Sequence, residues 1–159
     1  MRLAIELSRA NVAHGTGGPF GAALFRRDSG ELVSAGVNLV VPQHCSSAHA
    51  EIVALSLAQA SLRTHTLAAP GLPPLQLVSS TEPCAMCMGA VCWSGVVELV
   101  CGAEDADARS VGFDEGPKAS HWERALEERG IEVITGVLRA EAADVLTGYA
   151  KQGGLIYNR

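Results

Sequence analysis

The sequence predicts an α/β layered domain, with one mixed sheet and helices on both faces, and three observations lead there. After an opening hairpin, strand-like and helix-like segments alternate in the order α-β-β-α-β-α-β-α-β-α. The 159 residues suit a single core. Hydrophobic residues make up 48% and charged residues 18%, which is too apolar for a disordered chain. No repeat, low-complexity tract or linker divides the chain, so one domain over residues 1–159 is expected.

Each element has a local reason. Residues 2–13 carry Leu3, Ile5, Leu7, Ala10 and Val12 in an imperfect helical stripe, stopped by the glycines and proline of His14-Gly-Thr-Gly-Gly-Pro19. Phe20 to Phe25 and Glu31 to Val37 read as strands joined by the turn Arg26-Arg-Asp-Ser-Gly30. Leu39 to Ser47 reads as loop. Ala48 to Leu62 is an apolar helix, and Leu67 to Pro74, with three prolines and a glycine, is loop. Leu75 to Ser79 is a short buried strand. Pro83 is expected as the first residue of a helix running to Trp93, because its missing N–H has no helical partner there. Val96 to Gly102 is a strand, Ser120 to Arg129 a charged helix ended by Gly130, Ile131 to Ile134 a strand and Glu141 to Lys151 the last helix.

No apolar run reaches the roughly 18–20 residues of a membrane helix. The first 14 residues are broken by Arg2, Glu6, Arg9 and Asn11, unlike a signal peptide, so the cytoplasm is the expected compartment. Five cysteines, an odd number, argue against a disulfide framework. The net charge of −5 argues against a phosphate-backbone partner.

The chemistry concentrates at two helix starts, His49-Ala-Glu51 and Pro83-Cys-Ala-Met-Cys87. One imidazole and two thiolates are the ligand types zinc prefers, and three of them leave a fourth position for water. Cys84 and Cys87, three apart, share one helical face. A helix N-terminus favours thiolate over thiol. Two thiolates offset the charge of the ion, so a nearby base is needed, and Glu51 is the candidate to take a proton from water and hand it to a leaving amine. A redox pair would need no upstream His-x-Glu, and a structural zinc site would need a fourth ligand. Cys92 and Cys101 read as core thiols, and His14, His44, His65 and His121 as solvated.

The arrangement His-x-Glu…Pro-Cys-x-x-Cys is the signature of zinc-dependent nucleobase deaminases. Together with Gly17-Gly-Pro-Phe-Gly-Ala22, Ser47-Ala-His-Ala-Glu51 and Glu82-Pro-Cys-Ala-Met-Cys-Met-Gly-Ala90, it resembles the cytidine deaminase-like superfamily, and within it the bacterial guanine and nucleoside deaminase branch. The resemblance covers essentially the whole chain. It implies a three-layer α/β/α sandwich around a central mixed five-stranded sheet. It implies one Zn2+ per subunit on His49, Cys84 and Cys87, with Glu51 as proton carrier. It further implies a homodimer, with C-terminal segments exchanged between subunits as in guanine deaminases.

The same resemblance assigns the substrate contacts. Asn38, eleven residues before His49, would hydrogen-bond the base, as a carboxamide both donates and accepts. Trp93 would stack near the purine, and Phe20 would supply an apolar wall. Gly112-Phe-Asp-Glu115 is similar to the Gly-Phe-Asp-Asp of guanine deaminases, but its second acid, Glu115, is one methylene longer; Asp114 and Glu115 are both candidate contacts. Tyr157, in a C-terminus less polar than the lysine-rich family tail, would act as a lid. The implied reaction is hydrolytic removal of ammonia from a free base or small nucleoside, guanine or a related amino-heterocycle, as in purine metabolism. Residues 131–146 look more like the tRNA adenosine deaminases, the second reading. The basic C-terminal helix that reading requires is represented only by Arg139 and Lys151, with Arg159 at the chain end.

Overall fold

The computed structural model describes residues 1–157; Asn158 and Arg159 lie outside the described residues. Eleven elements run in the order α1 (Arg2–Ala13), β1 (Gly21–Arg26), β2 (Leu32–Val37), α2 (Ala50–Leu62), β3 (Leu75–Thr81), α3 (Ala85–Ser94), β4 (Glu98–Ala103), α4 (Asp105–Ser110), α5 (Trp122–Glu127), β5 (Glu132–Ile134) and α6 (Arg139–Lys151). The five strands form one sheet in the order β2-β1-β3-β4-β5. β1 pairs antiparallel with both β2 and β3, while β3–β4 and β4–β5 are parallel, so the sheet is mixed.

Helices cover both faces. On one side α2, α3 and α5 enclose a core of Ala22, Leu24, Leu55, Leu77, Val91, Leu99, Trp122 and Leu126. On the other, α1, α4 and α6 enclose a smaller core of Ile5, Ala103, Ala108, Phe113 and Leu146. Two glycines let the hairpin sit between helices. A Cβ on Gly21 would lie 2.4 Å from the Ala4 carbonyl oxygen of α1, and one on Gly36 would lie 2.4 Å from the Ala50 carbonyl oxygen of α2. The helix backbones therefore rest directly on opposite faces of the first two strands, and any larger residue would push a helix off the sheet. Among the described residues no helix is long and apolar enough to cross a membrane.

Three local differences from expectation bear on the site. Pro83 is not the first helical residue. Cys84 caps α3 with extended backbone (φ −64°, ψ 171°), and the helix begins at Ala85. The Ala85 N–H donates to the Glu115 carbonyl at 2.9 Å, so a distant loop satisfies an end-of-helix donor. The short helix α4 has no apolar period to reveal it. It is held by a capping box in which the Asp107 carboxylate accepts the Glu104 N–H at 2.8 Å. α5 is also shorter than the expected span 120–129. After α6 the chain turns back as a strap over the second core. The Tyr149 hydroxyl donates to the Leu155 carbonyl at 2.9 Å, and Tyr157 meets Phe113 edge-on at 5.3 Å between centroids.

Candidate metal centre and base pocket

His49 and Cys84 each occupy the N-cap of a helix, α2 and α3 respectively. Both have extended backbone, which turns their side chains across the helix ends toward each other. The ligand atoms of His49, Cys84 and Cys87 all lie within 4.8 Å of one another, and the Cys84 Sγ stands 3.5 Å from the His49 Nδ1. This donor set of one nitrogen and two sulfurs fits zinc with a position to spare. The Cys84 thiol is pulled down to about 4, first by a hydrogen bond with Cys87 and then by His49. Cys87 keeps the shared proton, and burial adds to its upward shift. The opposite directions of the two shifts make Cys84, at the helix N-terminus, the more acidic thiol of the pair.

Glu51, in the first turn of α2, is 6% exposed. Burial raises its pKa, the neighbouring Cys84 thiolate raises it further, and the Cys87 thiol hydrogen-bonds to it. A buried carboxyl whose pKa is raised, beside a three-donor cluster, has the properties of a general acid–base.

The cavity against these groups is small, about 20 Å³, which is room for roughly one water. Phe20, Asn38, Glu51, Phe113, Glu115 and Tyr157 are among its walls. Phe20 and Phe113 meet edge-on at 4.9 Å. Asn38 is 1% exposed, and its Nδ2 has no hydrogen-bond partner among the described residues; the same holds for the Tyr157 hydroxyl, although its ring is packed. Asn38 is set by its backbone: the Asn11 Nδ2 donates to the carbonyls of Asn38 (2.9 Å) and Gly18 (2.8 Å). A Cβ on Gly18 would stand 2.8 Å from the Tyr157 hydroxyl and 3.2 Å from the Asn38 Oδ1, so Gly18, Asn38 and Tyr157 converge. A broader mouth of about 590 Å³ opens outside, bordered by Ser46, Met86, Asp114, Pro117 and Tyr157.

The two acids of the Gly-Phe-Asp-Glu segment part company. Glu115 is buried and lines the inner cavity. Its pKa is raised to about 8, first by burial and then by the Cys84 thiolate and Glu51. A protonated carboxyl can donate as well as accept. Asp114 is half exposed at the mouth, where it pairs with Arg109 at 3.4 Å and accepts the Gly116 N–H at 2.9 Å. It holds the loop and does not enter the inner cavity.

Trp93 corrects the expectation of a pocket wall. It is 76% exposed, on the outer face of α2 and α3, with the Arg129 guanidinium 5.6 Å from its ring. Position 93 falls on the face of α3 turned away from the cavity, because Cys87 and Val91 claim the buried face. Phe113 and Glu82 line the cavity and were not singled out by the sequence, although both belong to quoted segments, Gly-Phe-Asp-Glu and Glu-Pro-Cys.

Comparison with known proteins places these features among relatives. Residues 1–103 match the family model described as the cytidine and deoxycytidylate deaminase zinc-binding region. The chain is 34% identical over 131 residues to a guanine deaminase of Bacillus subtilis, covering 82% of this chain and 80% of that one. It is 32% identical over 153 residues to a tRNA-specific adenosine deaminase of Haemophilus influenzae, covering 94% of this chain and 80% of the other. Among solved structures, the guanine deaminase of Nitrosomonas europaea is similar with a TM-score of 0.92 at 57% identity, over 94% of this chain and 82% of that one.

Proposed function

The chain belongs to the cytidine and deoxycytidylate deaminase zinc-binding family, and from that premise we propose that it is a zinc-dependent hydrolytic deaminase of guanine or a closely related free aminopurine. The observation that carries the reading is the convergence at one point of a His-Cys-Cys donor set, a buried Glu51 and a cavity walled by Asn38, whose Nδ2 has no partner among the described residues. Zinc, when held by His49, Cys84 and Cys87, supplies the Lewis acidity that makes water a nucleophile near neutral pH.

The chain's own groups do the rest. Glu51 accepts the proton of the attacking water as its oxygen bonds to the ring carbon. It then donates that proton to the amino nitrogen, whose C–N bond breaks to release ammonia. The Asn38 Nδ2 gains the acceptor it lacks, and the Glu115 carboxyl meets a ring N–H or nitrogen. Phe20 and Phe113 wall the ring. The inner cavity holds about one water with Tyr157 in place and adjoins the wider mouth at His49, Cys84 and Glu115, and in this reading the Tyr157 strap shifts to admit a base from that mouth and then covers it.

Purified, zinc-loaded protein should release ammonia from guanine in a panel of free bases, nucleosides and tRNA. Its kcat/KM for guanine should stay nearly constant between about 50 and 200 mM salt. A protein neutralising 6–10 phosphates loses roughly 10³–10⁵ in affinity over the same range. Activity confined to tRNA, with that steep salt dependence, would sink the small-base reading. The basic groups near α6 favour the base: Arg139 is already committed, its guanidinium bonded to the Asp107 carboxylate at 2.9 and 3.0 Å and to Glu104 at 2.6 Å.

The working unit in this reading is a homodimer joined through α2 and α3. These helices carry a single charged residue, Glu51, and it is buried in the site. Their outer face presents Leu57, Met86 and Trp93, all exposed. The helices themselves add no charge to this face, where Arg129 at the Trp93 ring is the neighbouring cation, and aromatic and Met side chains are enriched at surfaces that meet their own copy across a two-fold axis. Sedimentation equilibrium should give twice the chain mass, and Trp93→Glu should shift the species toward monomer. A monomeric wild type at micromolar concentration would remove this part of the proposal.

A further inference from the structure

Lys118 has no part in the reaction just described, yet its ammonium is buried directly behind the site. Its side chain is 6% exposed. Three oxygens surround the Nζ: Glu82 Oε2 at 3.2 Å, Asp105 Oδ1 at 3.1 Å and the Pro83 carbonyl at 3.3 Å. The Trp122 ring lies 4.8 Å away and closes the remaining side. An ammonium is costly to take out of water, and a buried ion pair often adds no more stability than apolar packing of similar volume. A buried lysine with two hydrogen bonds, to Glu82 and Pro83, and an ion-pair contact to Asp105 calls for another reason to be there.

The three partners identify that reason. Glu82 and Pro83 immediately precede Cys84, and Asp105 begins α4 on the neighbouring strand end. Lys118 itself lies three residues after Glu115. A second tie joins the same two segments, the Ala85 N–H to the Glu115 carbonyl at 2.9 Å. The turn that presents Cys84 and the loop that presents Glu115 are therefore clamped at two points. Arg109 also holds the loop, through the Gly116 carbonyl at 3.0 Å, but its side chain is 42% exposed and its ion pairs are screened by water. The dry tie is Lys118.

We propose that Lys118 is a positioning residue that locks the Cys84 turn and the Glu115 loop in one relative placement, so that a metal ligand and a substrate-contacting carboxyl are set together. The inference rests on the reading of His49, Cys84 and Cys87 as metal ligands and of Glu115 as a substrate contact.

The test separates placement from bulk stability. Lys118→Met alone leaves the Glu82 carboxylate buried without its cation and lowers Tm. The double variant Lys118→Met with Glu82→Gln removes one charge of each sign and should recover most of that loss, since Asp105 retains Arg109. It should still bind one zinc per chain. It should release that zinc to a chromogenic chelator about ten-fold faster than wild type, and its kcat/KM for guanine should fall by a similar factor, the low end of effects for groups that orient metal ligands. Lys118→Arg, which keeps the charge, should restore the release rate to within a few-fold of wild type. The zinc-release rate decides. A double variant that releases zinc at the wild-type rate overturns the proposal. If the double variant does not recover its Tm, equal acceleration in Lys118→Arg and Lys118→Met overturns it instead. A wild type inactive on guanine counts against the substrate reading alone, and the release rates still decide the role of Lys118.

Discussion

Glu51→Gln should fold, bind zinc and lose at least the roughly 10²–10⁴-fold in kcat that positioned general acid–base groups contribute. The loss sits at the top of that range or beyond, because one carboxyl serves twice: it takes the proton of water and returns it to the amine. Glutamine is isosteric and keeps the buried position in the first turn of α2, so packing and metal binding are little disturbed. It can neither accept nor carry that proton. Metal analysis and a steady-state ammonia assay on the same preparation make the comparison. Zinc at one per chain with near-wild-type turnover would remove Glu51 from the mechanism. The low exposure of Glu51 and the rise in its pKa by burial agree in direction with a group able to pass a proton both ways.

Cys87→Ala should abolish activity and also lower thermal stability. Without the ion, Glu51, Glu115 and Cys84 share one buried region, where Cys84 pushes the pKa of both carboxyls upward and Glu51 pushes that of Glu115. A cation there relieves the repulsion, so binding free energy appears as folding free energy. A ligand at about 1,000 times its dissociation constant stabilises by about 4 kcal/mol, which for a domain near 150 residues is roughly 8–16 °C in Tm. Chelation of wild type should reproduce that drop, and added zinc should reverse it in wild type but not in Cys87→Ala. Full activity of metal-free protein after exhaustive chelation would end the zinc assignment.

The parts of this architecture that were legible in the sequence share a property: their signal is local. The three glycines and proline after α1, the hairpin turn at 26–30 and the prolines of 67–74 each punctuate the chain at the residue itself. The donor set was legible for the same reason, since two short motifs carry all three ligands and Glu51. The features that were missed depend on distant partners. The start of α3 moved from Pro83 to Ala85 because a carbonyl 30 residues later satisfies its amide. Helix α4 is held by a capping box and has no apolar period. Trp93 was expected against the base, but the burial of Cys87 and Val91 turns position 93 outward. Asp114 and Glu115, adjacent in sequence, have opposite fates because the loop turns between them, and nothing in a run of two acids announces which one faces inward. Lys118 carries no motif, and only the fold brings Glu82 and Asp105 around it.

In the proposed opening and closing, the strap that carries Tyr157 adds a kinetic dimension to the pocket. Its ring contact with Phe113 is of a kind worth about 0.5–1.5 kcal/mol beyond simple burial, so the closed arrangement outweighs the open one by a factor of roughly 2–12 from that contact alone. A base meets only the open fraction, and its apparent dissociation constant is the intrinsic one divided by that fraction. In that cycle the same latch would also limit how fast the product escapes. Affinity and turnover would then both scale with the open population of a segment many residues away in sequence from the atoms proposed to do the chemistry.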